Sequence, residues 1–373
     1  IFSKLILLFS WLQVYIFLSK MFVKKILSLA ASIIKLFIII IIFTYNSKAD
    51  ENNIKYNSND MGILSLMYHR FNEEKYPSTN IKMSVFKDQI KIIKDLNYDF
   101  FNPGDLEKNF NLVKKEKKVL ITIDDAFSSF YKFAWPYLKK EKIPFILFVS
   151  TEAIGKNGYM NWKQIKEIEK EKNVYIGNHS HSHEYLVDFK ETEITNDIDT
   201  ASEIFIENLG YNPIFFSYPF GEYSSFIKRY VSKNFLFSFG QHSGVIDTNK
   251  DRYELPRFPI NEKYGDLKRF KFLINLHPLQ FKNLLPEEKF VTTNNNPPKF
   301  SVEFFKNQKN LENINCFSDE GNKWAKSNVS LSENTLKIKF REKFTFRRGR
   351  INCSLNDSGV WRWFGVQFSI EQN

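Results

Sequence analysis

The sequence predicts an α/β protein built on a mostly parallel sheet, followed by a smaller β-rich region. Three observations predict it. Short apolar runs between about residues 60 and 260 alternate with amphipathic stretches. Chemically capable polar residues stand at the carboxyl ends of those runs. Past a polar, proline-containing segment the pattern turns to strand-like alternation without a long helical period. With 373 residues and 43% of them apolar, the chain can bury one large domain and a small companion.

The apolar runs are Ile63–Tyr68, Val119–Ile123, Pro144–Val149, Val174–Gly177, Ile214–Ser217, Phe235–Phe239 and a weaker one at Phe258–Ile260. They are short, rich in β-branched or aromatic residues and bounded by polar residues or Gly, as buried parallel strands are. Helical spacing lies between them. Apolar residues fall at 86, 90, 93 and 96 after Ser84, an expected N-cap, and at 194, 198, 201, 205 and 209 before Gly210, a stop signal. This alternation implies a parallel sheet covered on both faces or closed into a barrel. Residues 291–299 (VTTNNNPPK) read as a linker between a domain at 50–290 and a β-rich domain at 300–373. Strands are expected there at Val329–Ser332, Leu336–Phe340, Lys343–Phe346 and Trp361–Ile370.

Residues 1–45 are strongly apolar, interrupted by single lysines. From Met21 the text reads as a secretory signal: Lys24-Lys25 form a basic start, Leu36–Tyr45 an apolar stretch, and Ser47-Lys48-Ala49 a cleavage site after Ala49. A retained membrane anchor is the alternative reading, opposed by Lys35, and would be the chain's one membrane association. Either way the body is exported to the periplasm or cell envelope. The two cysteines, Cys316 and Cys353, agree with export: in an oxidising compartment the pair would close a disulfide, the other reading being two unrelated buried thiols.

The net charge of +11 suggests nucleic acid until it is located. Residues 1–49 carry Lys4, Lys20, Lys24, Lys25, Lys35 and Lys48 and no acid, which leaves 47 − 42 = +5 for the rest. That is an ordinary surface excess, so a dedicated nucleic-acid binder is not expected.

The chemistry collects at the strand ends. Ile63–Tyr68 runs into His69, Val119–Ile123 into Asp124-Asp125, and Val174–Asn178 into His179-Ser180-His181-Ser182-His183. Ile214–Ser217 runs into Tyr218-Pro219-Phe220-Gly221, and Phe235–Phe239 into Gly240-Gln241-His242. In parallel α/β folds these ends share one face, where active sites form. Alone, the Asp pair reads equally well as a helix cap. For both carboxylates to serve one site, the chain must turn at the pair; one can then ligate a metal while the other stays free as a base. His179 and His183 would meet on a helical turn, whereas on a strand His181 would join them on one face. Two imidazoles and a carboxylate with an open fourth position form a catalytic zinc set, and a surface histidine-rich stretch is the plain alternative.

These residues resemble the NodB-type polysaccharide deacetylases, carbohydrate esterase family four. Thr122-Ile123-Asp124-Asp125 resembles their T-F-D-D motif, His179–His183 their H-[ST]-x-x-H motif, and Ser217–Gly221 their R-x-P-[FY] motif. The Tyr68-His69-Arg70 segment resembles that of the poly-N-acetylglucosamine deacetylase branch, and the likeness spans about residues 62–262. The resemblance implies a deformed (β/α) barrel of about seven parallel strands and hydrolytic removal of N-acetyl groups from an acetamido-sugar polysaccharide, poly-GlcNAc, peptidoglycan or chitin-like. It implies one divalent metal, zinc before Co, Ni, Mn or Fe, held by Asp125, His179 and His183. Asp124 would be the base, and a backbone N–H near Phe220 or Tyr218 would hold the oxyanion.

Two departures stand out. The Arg that opens the third motif is Ser217 here, and Arg257 in Leu255-Pro256-Arg257 is its expected replacement. The late Leu-x-His motif has no clean match, so His242 is the first choice for the general acid and His69 the second. His277 reads as structural and His181 as a neighbour, not a ligand. Trp324, Trp361 and Trp363 suit either a sugar-stacking platform or a β-domain core. A non-catalytic glycan-binding relative and an O-acetyl esterase are the competing functions; oligomeric state is not legible.

Overall fold

The computed structural model describes residues 55–372. The leader, its cleavage after Ala49 and the anchor alternative lie outside the described residues. Among the described residues no helix is long and apolar enough to cross a membrane.

Each apolar run forms a strand of one sheet: β1 (Ile63–Tyr68), β2 (Lys118–Ile123), β3 (Phe145–Val149), β4 (Val174–Asn178), β5 (Phe215–Ser217), β6 (Phe237–Phe239) and β7 (Phe258–Pro259). They lie side by side in the order β1 to β6, all parallel, and β7 pairs parallel to the other side of β1. A bridge from Phe239 to Leu255 leads the chain from β6 towards β7, so the sheet curls round upon itself. The short strand Val245–Ile246 is antiparallel to β1 and Asp99–Phe100 is parallel to β2. Every residue of β1 and β3 is buried, the mark of strands covered on both faces. The architecture is α/β, a deformed half-barrel.

Helices cover the outside. α1 (Met83–Asp95) buries Met83, Phe86, Gln89, Ile90 and Ile93, and α2 (Glu191–Leu209) buries Ile194, Ile198, Ala201 and Phe205 before Gly210 ends it at φ 84°. Ser84 is not the cap of α1. The helix starts one residue earlier, and the Asn72 side chain accepts the Met83 N–H at 2.8 Å, a cap from outside the local sequence.

The C-terminal region is β-rich, and it begins before residue 300. His277–Pro278 and Phe290–Val291 both pair with the long strand Val360–Ile370, and Asn283–Leu285 pairs with Phe300–Glu303. The expected linker at 291–299 is therefore part of the module. Its polar residues bond specifically: the Asn296 amide exchanges two hydrogen bonds with the Phe344 backbone, and Glu371 accepts from Thr293 N–H. Lys343–Phe346 is not a strand, whereas Arg348–Asp357 is, with Gly349, Ile351, Cys353 and Leu355 turned inward. Two of those four inward residues are small, so the run lacks an obvious apolar alternation. Cys316 and Cys353 face each other across paired strands and form a disulfide.

Candidate active site

β2 delivers the Asp pair. Asp124 is buried at its end, its N–H donating to Tyr68 O at 2.9 Å. The chain then turns through two left-handed residues, Asp125 (φ 71°) and Ala126 (φ 53°), which brings both carboxylates to one site. Such conformations cost on the order of 1 kcal/mol each for a residue with a side chain and persist where surroundings enforce them.

His179–His183 is neither a helical turn nor a strand. Asn178 Oδ1 accepts Ser180 N–H (2.8 Å), Ser180 Oγ accepts His183 N–H (3.0 Å), and Asp197 from α2 accepts His181 N–H (2.8 Å) and Ser182 N–H (3.0 Å). Ser180 and His183 are both left-handed, so the loop folds back and sets the His179 and His183 rings 4.8 Å apart. His181 leaves the group, its Nδ1 lying 2.8 Å from Thr151 Oγ1. His179 Nδ1 donates to the Ser217 carbonyl at 2.6 Å, which fixes the tautomer and leaves Nε2 as a free lone pair.

Asp125 Oδ1 lies 3.1 Å from His183 Nε2 and 3.5 Å from His179 Nε2, and the ligand atoms of the three residues all fall within 4.8 Å of one another. Asp125 Oδ1 and His179 Nε2 are buried without a hydrogen-bond partner among the described residues. An orphaned buried polar atom costs about 1–3 kcal/mol. One shared cation satisfies both, and two imidazoles with one carboxylate suit a divalent ion with an open position. The residues present thus fit a metal.

Asp124 lies 3.8 Å from His179 Nε2 but is claimed by another partner. Arg257, fully buried, grips it with two hydrogen bonds, Nη1 to Oδ1 at 2.6 Å and Nη2 to Oδ2 at 2.9 Å. Nη2 also donates to Ser217 Oγ at 2.8 Å, and Nε to Gly240 O at 2.9 Å. The short Ser217 side chain leaves room for a guanidinium arriving from the residue before β7. Burial alone would raise the Asp124 carboxyl, but Arg257, with His179 and His69, holds it below the usual carboxylate range.

His69, Asp125, His183, Phe220 and His242 share the wall of one cavity of about 770 Å³. Burial lowers the His69 imidazole while the charges of Asp125 and Asp124 act to raise it, so His69 belongs electrostatically to the Asp pair. His242 does not. Burial pushes it down to about 4, and the charges acting on it are Glu254, Lys250, Lys289 and Arg257. Both imidazoles are thus lowered by burial, and they differ in that His69 alone has the Asp pair acting to raise it. His277 is off the cavity wall, paired with Arg362 in the C-terminal sheet.

Phe220 carries a left-handed backbone (φ 58°) and its ring lies 4.7 Å from that of His183. Tyr218 departs from expectation. Its N–H donates to Phe239 O at 3.1 Å, its hydroxyl to Tyr253 O at 2.9 Å, and its ring stacks on Tyr223. Both donors are spent inside the core.

Sequence reasoning missed the supporting groups Asn178 and Asp197 and the part played by the C-terminal module. Arg347, Arg348, Arg350, Trp324 and Trp363 form cavity wall, and Gln367 Nε2 donates to Phe220 O at 3.0 Å. Arg347 pairs with Asp188 at 2.7 Å and reaches Glu222 at 3.5 Å. The basic run Arg347–Arg350 was the available signal. Trp361 is off the wall, packed edge-on to Phe272.

A curled parallel sheet presents an Asp pair and a His pair at its carboxyl edge, the face on which such folds build their active sites and a set of residues suited to hydrolysis. Residues 112–236 match the family model described as "Polysaccharide deacetylase". The chain is 24% identical over 252 residues to the poly-β-1,6-N-acetyl-D-glucosamine N-deacetylase of Staphylococcus aureus (strain MSSA476), covering 58% of this chain and 85% of that protein. Among solved structures, the Streptococcus pyogenes deacetylase PplD in complex with acetate aligns with a TM-score of 0.53 at 22% identity, covering 58% of this chain and 99% of that one. IcaB from Ammonifex degensii aligns with a TM-score of 0.52 at 24% identity, covering 58% and 97%. The chain thus carries a polysaccharide deacetylase domain of the NodB or carbohydrate esterase four type, matched over residues 112–236.

Proposed function

We propose that the chain is an exported, metal-dependent N-deacetylase of an acetamido-sugar polysaccharide. The observation that carries this reading is the convergence of Asp125, His179 and His183, with two orphaned buried atoms, beside a second carboxylate locked by Arg257. A divalent ion held there, zinc first, would polarise the acetamide carbonyl and acidify a water.

The remaining work falls to the chain's own residues. Asp124, kept ionised and oriented by Arg257, takes the proton of the attacking water. The Phe220 N–H, on a backbone pinned by Gln367, faces the charge that develops on the carbonyl oxygen. His69 gives a proton to the sugar nitrogen as the carbon–nitrogen bond breaks, so acetate and a free amine leave. Arg257 on Asp124, in place of the arginine that Ser217 lacks, supports the catalytic reading over a non-catalytic glycan binder. The leader and the Cys316–Cys353 disulfide support export.

The test is metal analysis of the purified mature chain together with acetate release from β-1,6-linked N-acetylglucosamine oligomers. About one ion per chain and acetate release that chelation abolishes are expected. Full activity in a metal-free preparation overturns the reading, and hydrolysis of acetylxylan without amide hydrolysis would favour the esterase.

A further inference from the structure

We propose that the cavity binds a glycan carrying negative charge, with Arg348 and Arg350 of the C-terminal module contacting a carboxylate or phosphate on a sugar beside the reacting acetamide. This deepens, and rests on, the deacetylase reading.

The cavity wall is lopsided in charge. Arg269, Arg347, Arg348 and Arg350 all line it, and the one carboxylate among the described residues on that wall is Asp125, already committed to the histidine pair. Arg347 gives both terminal nitrogens to Asp188 and Glu222, whereas the other two module arginines are paired through Nε and keep their terminal nitrogens available. Arg348 is 38% exposed, and its one acidic neighbour, Glu222, stands 3.6 Å from Nε, beyond a good hydrogen bond. Arg350 is 42% exposed and meets Asp319 through Nε at 2.7 Å; its terminal nitrogens have no partner among the described residues.

The arginines stand beside aromatic rings. The Arg348 guanidinium lies 6.0 Å from the Phe220 ring centre, and that ring lies 4.7 Å from His183. The Arg350 guanidinium lies 5.5 Å from the Trp324 ring, which is 42% exposed, and Phe346 nearby is 52% exposed. Exposed rings offer stacking for pyranose faces, while the planar guanidinium fork matches a carboxylate or phosphate. Product chemistry points the same way. Each deacetylation turns a neutral acetamide into an ammonium, so a neutral polymer becomes a polycation that this wall repels. A polymer with an acid in its repeat stays near neutrality and remains a ligand as reaction proceeds.

The test compares acetate release from three oligosaccharides of similar length. One is neutral β-1,6-linked N-acetylglucosamine, one alternates N-acetylglucosamine with glucuronate, and one carries N-acetylglucosamine joined by phosphodiesters. At low salt, kcat/KM is expected to be at least tenfold higher for one of the anionic substrates, and which one distinguishes carboxylate from phosphate. The advantage should shrink as salt rises. R348Q and R350Q should each lower the anionic-to-neutral ratio several-fold, R348K should keep only the part that a point charge supplies, and the exposed K337Q, off the cavity wall, should not change it. Release from the neutral oligomer at equal or higher efficiency, or an equal drop for K337Q, overturns the proposal and leaves the deacetylase reading intact. No release from any substrate by the metal-loaded protein instead sinks the deacetylase reading.

Discussion

Arg257 reaches Asp124 from 133 positions away and meets both carboxylate oxygens, at 2.6 and 2.9 Å. Neither group is exposed, so each depends on the other. Breaking a buried ion pair from one side strands a charge, at about 3–5 kcal/mol. R257Q is therefore expected to lose that order of stability and 10²-fold or more in kcat/KM.

The same pair sets a pH limb. Asp124 is depressed in the folded protein, so its contribution to stability is present above the unfolded carboxyl value near 4 and lost as pH falls through the folded value. In R257Q the acidic limb of the kcat/KM profile should move to higher pH. A limb that stays in place would assign the base elsewhere.

Ion binding and stability should be linked. At free ion a hundred times Kd, one site adds about 2.7 kcal/mol. Chelation is expected to lower the Tm of the native protein but not of D125N or H183A, and calorimetric titration should show no ion uptake by either variant. Uptake by D125N would remove Asp125 from the ligand set.

Glu222 shows the opposite pH behaviour. Its carboxyl is buried with both oxygens unbonded, and burial pushes it up to about 7 despite Arg348 and Arg347. An acid raised on folding holds its proton longer than in the unfolded chain. Stability should therefore fall as pH rises from about 4 to 7, by about 3 kcal/mol, and then level off. Denaturant melts across that range check it; E222Q should flatten the slope.

The disulfide closes a loop across adjacent strands of the C-terminal module. Its removal in C316S/C353S is expected to cost roughly 3–4 kcal/mol, measured by denaturant melting. A variant as stable as the native protein would contradict it.

The half-barrel was legible because each strand of the parallel sheet is a continuous apolar run, with β1 falling on Ile63–Tyr68 as expected. The strand ends were legible too, since parallel topology puts them on one face. Less was visible where long-range partners decide. Nothing local marks Asn72 as the cap of α1, or Asp197 as the carboxylate that folds the histidine loop. The strand at Arg348–Asp357 hid its inward face behind Gly349 and Cys353. The polar stretch at 291–299 read as a linker because bonds such as Asn296 to Phe344 join residues 48 apart.

The bond from Gln367 to the carbonyl of Phe220 joins residues 147 apart, one near the tail and one beside the reactive histidines. The appended strands therefore border the cavity and also hold the backbone of a residue that the proposed reaction uses. Grafting a different tail onto the same half-barrel is expected to disturb turnover as well as the choice of substrate, because Phe220 would lose its distant anchor.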